Sequence, residues 1–383
     1  MSSSTSSKGK VLITGGAGFI GSHMVDHLLA RGFEVRVLDC LVPQVYVGQA
    51  MDSDGWPLYL NPEAERMYGN VLNANDVRKA LVGVDYLIHL AASVGVGQSM
   101  TNILDYTMNN EVGSAAIMQV LTEGKHTVRR MIVASSISIY GEGSAMRPST
   151  GEIIVPQMRS IEQLRSRSWE VFFETEVLIP QPTPETKPLI PGSIYAINKM
   201  VQELQFLIMG KAFGIPTAAM RMFNVYGTRQ ALSNPYTGVA AIFISRLKNG
   251  QPPLIYEDGE QRRNFVHVRD VVRAYGDFLE STEQMWETFN VGSPEVVTIA
   301  GLARDIAHQM GLRIEPEFNG MYRIGDIRHC YPDLSKINAA LGWEAQIKLE
   351  DGLPELIEWA GGQTAIDMSG DYNADLESRG LLV

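Results

Sequence analysis

Short β-branched runs alternate along the first half of the chain with longer segments whose apolar residues recur every three or four positions. Val11–Thr14 (VLIT) reads as a buried strand, Gly18–Arg31 as a helix and Val35–Asp39 (VRVLD) as the next strand. The rhythm continues through Asp85–Ala92 (DYLIHLAA), a helical span near Asn110–Glu123, and Arg129–Ser136 (RRMIVASS). Strand, helix and strand in repetition imply parallel pairing through right-handed crossovers, with helices on both sheet faces. The expected fold class is therefore α/β, a doubly wound parallel sheet. Between Tyr140 and Tyr195 the pattern breaks. A charged, helix-compatible piece near Ser160–Phe173 leads into Pro180, Pro182, Pro184, Pro188 and Pro191, which favour a rigid extended connection. This insert, at about 145–192, reads as a surface excursion, with a lid or subunit contact as the alternative. A helix from Tyr195 closes on Gly214, a strand follows over Ile215–Phe223, and the mixed pattern from Asn234 suggests a smaller α+β lobe.

Composition narrows the class without changing the picture. With 383 residues, 45% hydrophobic and 20% charged, the chain can bury a core without disulfide staples. Its 32 basic against 43 acidic residues leave a net charge of −11, which argues against phosphate-driven nucleic-acid binding. A small anionic ligand remains compatible, since it needs only a local cluster of cations. Cys40 and Cys330 make neither a disulfide framework nor a metal-ligand cluster, so a reducing, cytoplasmic setting is expected. The opening MSSSTSSKGK has no apolar run and reads as a disordered arm, and nothing approaches the roughly 20 apolar residues of a membrane span.

Thr14–Gly21 (TGGAGFIG) leaves a hydrophobic strand and enters a helix, the context a dinucleotide fingerprint requires. Gly15 and Gly16 permit the tight turn, Gly18 lets backbone approach a pyrophosphate, and Gly21 lets the helix pack closely on the strand. The N–H groups near Phe19 and Ile20, aided by the helix dipole, supply an anion site. Asp39 ends the next strand, 18 residues beyond Gly21. A carboxylate there accepts hydrogen bonds from a ribose and repels a 2′-phosphate, so NAD is expected over NADP. Arg36 falls elsewhere in the strand alternation.

Tyr195 and Lys199 (YAINK) lie four residues apart and share one helix face. Only about one free tyrosine in a thousand is phenolate at pH 7, and lowering its pKa to about 7 takes roughly 4 kcal/mol. The Lys199 cation and a positively charged nicotinamide would both favour the anion. Tyr195 could then take a proton from a sugar hydroxyl as hydride leaves the same carbon. A bridging hydroxyl should sit at a strand's carboxyl end, where Ser135, Ser136 and Ser138 are available; Ser135 is equally readable as a backbone cap.

Taken together, TGGAGFIG, Asp39, His89–Ala92 (HLAA), SSISIYG, YAINK and Arg221–Gly227 (RMFNVYG) resemble the extended short-chain dehydrogenase/reductase family of nucleotide-sugar epimerases and dehydratases over roughly residues 9 to 360. The resemblance implies Ser136 as the catalytic hydroxyl beside Tyr195 and Lys199. It implies Leu90, Ala91, Ala92 and Asn110 along the cofactor, to which Asn70 and Val71 are added. For substrate it implies Asn224 and Arg263 at the diphosphate, and Arg323 and Asp326 at phosphate and ribose, with Ser138 and Val239 also expected to touch it. The chain then divides into an arm (1–9), an NAD-binding Rossmann domain with the insert (10–233), a mainly substrate-binding lobe (234–360) and a tail, loose or an oligomer contact (361–383).

Family dehydratases and decarboxylases carry an acid directly after the catalytic hydroxyl, because elimination needs a group to remove the C5 proton. Here Ile137 and Ser138 follow Ser136, so both reactions are disfavoured. The expected activity is NAD-dependent 4-epimerisation of a nucleoside-diphosphate sugar through a transient 4-keto sugar. The likeness is strongest to the dTDP-L-rhamnose 4-epimerase group and UDP-glucose 4-epimerase-like enzymes, with an unusual antibiotic-pathway sugar such as an octose also open. The paired cysteines common in that group's insert are missing here, so no insert metal is expected, and Asn264 stands where the family usually has Asp. The alternatives are a keto-sugar reductase or 4,6-dehydratase, and a non-catalytic NAD-binding protein. An NADPH-dependent reductase would prefer a basic residue where Cys40 and Leu41 stand. No membrane partner is expected; a homodimer is.

Overall fold

Along the first strand Val11 and Ile13 point to one face and Leu12 to the other, and all three are buried, so this sheet must be covered on both sides. The computed structural model describes residues 7–234, 238–367 and 369–383. Seven parallel strands make one sheet: β1 (Lys10–Thr14), β2 (Glu34–Asp39), β3 (Glu65–Tyr68), β4 (Tyr86–His89), β5 (Arg130–Ser136), β6 (Thr217–Met222) and β7 (Trp286–Val291). Their spatial order is β7-β6-β5-β4-β1-β2-β3, all pairs parallel. The order reverses between β1 and β4, which opens a crevice at the carboxyl ends of the strands.

The longer helices are α1 (Phe19–Ala30), α2 (Ala74–Ala80), α3 (Gly113–Thr122), α4 (Ile194–Phe213), α5 (Val239–Lys248), α6 (Val268–Glu280), α7 (Ile299–Gln309), α8 (Leu349–Gly361) and α9 (Ser369–Ser378). Helices α1 and α6 cover one sheet face through Met24, Leu28, Val271 and Phe278. Helices α2, α3 and α4 cover the other through Val77, Ile117 and Phe206. Burying a side chain such as Phe206 stabilises the fold by about 1.5–3 kcal/mol. A separate core of Ile244, Ile306 and Leu356 joins α5, α7 and α8 into the smaller lobe.

Three expectations about organisation need correction. The division at residue 234 is overrun, because α6 and β7 return from the later stretch to the main sheet. The arm is shorter than expected: from Lys8, whose N–H donates to Gly32 O at 3.1 Å, the chain is tied to the domain, while residues 1–6 lie outside the described residues. The insert is pinned to the rest of the chain. Its Arg159 makes paired 2.9 Å bonds to Glu257, and its Glu170 meets the fully buried Arg328 at 2.6 Å. Hydrogen bonds from His329 and Arg328 hold the Glu170 carboxyl down at about 2. The tail contains α9 and ends against residues 322–324, with Tyr322 N–H donating to Val383 O at 2.8 Å.

Candidate functional site

The β1–α1 turn forms as its glycines dictate. Gly15 has φ of +71°, and a Cβ there would stand 2.8 Å from Ala91 N. A Cβ on Gly21 would meet Gly15 O at 2.4 Å, so α1 can approach the turn only with glycine at that position. Gly18 caps α1 in extended backbone, with no side-chain cap and no acid in the first turn, so the helix N-terminus stays available to an anion. Asp39 Oδ2 accepts the Ala17 N–H at 3.0 Å and Oδ1 the Leu41 N–H at 2.9 Å, which holds the carboxylate beside this turn. Burial pushes the Asp39 carboxyl up, against hydrogen bonds from Leu41, Ala17 and Tyr46. Each carboxylate oxygen keeps acceptor capacity for a ribose hydroxyl. Arg36 points away, donating to Ala80 O at 2.7 Å and Val82 O at 2.8 Å behind α2.

These groups line a cavity of about 700 Å³ that also takes in Phe19, Ile20, Asn70, Val71, Leu90, Ala91, Ala92, Ser136, Ser138, Tyr195 and Lys199. From the chain beyond β6 the same cavity receives Asn224, Val239, Arg263, Arg323 and Asp326. Asn110 is the exception among the sequence-derived site residues. It is fully buried behind the wall, with Oδ1 accepting Ser93 N–H at 2.7 Å and Nδ2 donating to Ser93 O at 3.0 Å, so it shapes the loop that touches the cavity. A glycine cradle, an open helix N-terminus and a strand-end carboxylate together fit a dinucleotide.

Helix α4 starts at Ser193, whose side chain accepts the Ala196 N–H at 3.1 Å. Tyr195 thus falls in the first turn and Lys199 one turn on, and Ser99 Oγ accepts the Tyr195 N–H at 3.0 Å. Lys199 Nζ donates to Ala134 O at 3.0 Å, and burial pulls its ammonium down to about 7. Burial pushes the Tyr195 phenol up to about 12, while its hydrogen bond with Ser136 pulls it down. The chain's own groups hold Tyr195 above its ordinary value. Ser136 Oγ accepts from Ser138 Oγ at 3.0 Å and from Ser138 N–H at 3.2 Å. Its own O–H is left to donate to the phenol oxygen. Ser135 is structural, donating to Glu203 Oε2 at 2.6 Å, and Glu203 also pairs with Arg221 at 2.5 Å.

Behind the pair, Thr14 Oγ1 lies 2.7 Å from His89 Nδ1, and Ser114 and Gln202 lie 2.9 Å and 3.1 Å from His89 Nε2. Burial pulls His89 down to about 3, so this link between β1, β4, α3 and α4 is neutral. At the lobe end, Asp326 pairs with Arg323 at 3.0 Å and lies 3.7 Å from Arg263, so two cations from distant segments converge. Asn264 is buried; its Nδ2 donates to Ser293 O at 2.7 Å and Glu295 O at 2.6 Å, and its Oδ1 accepts the Ser293 N–H at 2.9 Å. These bonds need an amide, which accounts for Asn where the resemblance led to Asp. Sequence reading missed Ser99, Tyr256, Tyr372 and Asn373. Tyr372 and Asn373 stand in no motif, and Tyr256 directly precedes the turn that leads to Arg263.

The chain matches the NAD dependent epimerase/dehydratase family over residues 11–160 and 168–292, and it belongs to that family. It is 34% identical over 352 residues to the dTDP-L-rhamnose 4-epimerase of Burkholderia thailandensis, covering 91% of this chain and 94% of that one. A UDP-N-acetyl-alpha-D-glucosaminuronate decarboxylase of Bacillus cytotoxicus is 28% identical, with 92% and 98% covered. Among solved structures, the Thermotoga maritima UDP-glucose 4-epimerase with UDP-glucose superposes with a TM-score of 0.74 at 29% identity, with 91% and 98% covered. The Thermus thermophilus UDP-glucose 4-epimerase complexed with NAD gives 0.72 at 27%, with 92% and 99% covered. The fold is a Rossmann-type α/β sheet with a smaller lobe, and the cofactor is NAD.

Proposed function

We propose that this enzyme is a nucleoside-diphosphate-sugar 4-epimerase, with dTDP-L-rhamnose the first candidate substrate and an unusual sugar such as an octose the second. The observation that carries the reading is the distribution of acids. Among the described residues lining the cavity the only carboxylates are Asp39 and Asp326, at the dinucleotide turn and beside the lobe arginines. Ile137 follows Ser136, and the nearby Glu142 is turned away, accepting the Arg328 N–H at 2.9 and 2.8 Å. Dehydration needs an acid and a base beyond the Ser–Tyr pair, and this site offers neither.

Bound NAD⁺ supplies the acceptor and return donor of one hydride and a positive ring charge. In this reading Tyr195 receives the C4 hydroxyl proton and later returns it. Ser136 donates to the phenol oxygen and steadies the emerging carbonyl. Lys199 favours the phenolate once the cofactor's charge reaches the cleft. Asn70 and Val71 flank the cofactor, Arg263 and Arg323 hold the diphosphate bidentately, and Asn224, Ser138 and Val239 border the sugar. The ketone needs only to turn over to receive the hydride on its other face.

A second copy is the proposed partner. Leu104, Met108, Leu204 and Ile208 stay exposed on two helices packed against one another, at residues 103–112 and on α4, and this apolar face suits a symmetric helical contact. The unpaired Cys40 and Cys330 support a reducing, cytoplasmic setting.

The test is a panel of nucleotide sugars, including dTDP-L-rhamnose deuterated at C4, followed by sugar NMR. Inversion with the label retained and no net NADH is expected. Loss of deuterium to solvent, or a 4-keto-6-deoxy product, would overturn the assignment.

A further inference from the structure

The last fifteen residues are built into the cleft. Val383 and Tyr322 exchange backbone hydrogen bonds of 2.8 and 3.0 Å, and Ile324 N–H donates to Leu381 O at 3.1 Å. The chain end therefore forms an edge along the segment that carries Arg323. Tyr372, Leu376 and Leu382 are buried and pack with Tyr256, Met321 and Leu381. On the far side, a Cβ on Gly97 would fall 1.9 Å from the Tyr372 hydroxyl, so glycine makes room for that ring. Gly97 sits in the turn whose Ser99 holds the backbone of Tyr195. Helix α9 thus spans from the smaller lobe to the domain that bears the Tyr–Lys pair.

Two of its side chains, Tyr372 and Asn373, line the cavity. Asn373 Oδ1 accepts the Tyr256 hydroxyl at 2.5 Å, which leaves the amide N–H groups for an oxygen acceptor inside the cavity. The Tyr256 ring lies 5.1 Å from the Arg323 guanidinium, and Tyr372 hydrogen-bonds the same arginine. Arg323 is held on both flanks by this cluster and by Asp326. Donors gathered around a fixed guanidinium suit the oxygen-rich end of a nucleotide sugar better than its apolar surfaces.

We propose that α9 completes the substrate site, with Tyr372 and Asn373 as specificity-determining residues that touch the ribose–diphosphate portion of the nucleotide sugar beside Arg323. This rests on the nucleotide-sugar reading above. Asn373 donates to a ribose or phosphate oxygen. Tyr372 orients Arg323 and closes the wall between the two domains.

Calorimetric titration of the protein with UDP and with dTDP, and separately with NAD, tests the assignment. Asn373→Asp is the informative variant, since it keeps the acceptor for Tyr256 while removing the donors and adding a charge that repels diphosphate. Binding of the better nucleotide should weaken about tenfold or more in Asn373→Asp and about threefold in Tyr372→Phe, with NAD affinity within about twofold of wild type. If both variants bind the nucleotide as the wild type does, the role of α9 is overturned and the epimerase reading stands. If the wild type binds neither nucleotide, both fall.

Discussion

Ser138 reaches Ser136 twice, through its hydroxyl at 3.0 Å and its backbone N–H at 3.2 Å, and so occupies the acceptor side of the hydroxyl closest to the Tyr195 phenol. The arrangement orders three oxygens into one donating chain that ends on the atom proposed to exchange the substrate proton. It also gives the two serines different work. Ser136 touches the phenol, whereas Ser138 acts by orienting Ser136. Ser136→Ala should lower kcat about 10²-fold and Ser138→Ala about tenfold or less, both with NAD affinity kept. Steady-state kinetics on the best nucleotide sugar check the ranking, and an equal loss in both would refute it.

Tyr195→Phe removes the proton carrier without emptying the space it fills. Turnover should fall by about 10³-fold or more while nucleotide-sugar binding is retained. A rate close to wild type would show that another group carries the proton.

Lys199 titrates at about 7 in the folded protein, well below its ordinary 10.5, because it is buried. The unfolded chain binds that proton more tightly, so the cost of burying Lys199 is absent above about pH 10.5, grows as pH falls toward 7, then levels off. Replacing Lys199 with Met removes the titration. The difference in Tm between Lys199→Met and wild type should move in favour of the variant between pH 10 and pH 7 and stay flat below that. A pH-independent difference would count against a buried, depressed lysine.

Asn264→Asp restores the residue that family resemblance led one to expect. Here it would set a carboxyl against the carbonyl oxygens of Ser293 and Glu295. The cost should be about 3 kcal/mol in urea unfolding, from lost donors and an unfavourable buried charge. A variant as stable as wild type would mean that the loop after β7 re-forms around the acid.

Much of the fold and of the cofactor end was legible in the linear chain, because those features depend on neighbours in sequence. Alternating apolar strands and helices implied the parallel sheet. Glycine spacing implied the β1–α1 turn, and YAINK needs only a helix to align Tyr195 with Lys199. Asp39 was readable because a strand end lies a fixed distance after the turn. What the tertiary structure decided involves residues that meet across long separations and carry no periodic mark. Asn110 sits behind the wall rather than in it, since burial and Ser93 claim both ends of its amide. Strand β7 and helix α6 rejoin the main sheet after a detour through the lobe because their apolar faces match its core. The phenol of Tyr195 lies above its usual pKa rather than below, as desolvation outweighs the single hydrogen bond from Ser136. Tyr372 reaches Gly97 only after the chain has folded back on itself, and the lack of periodicity made that last stretch look like a tail.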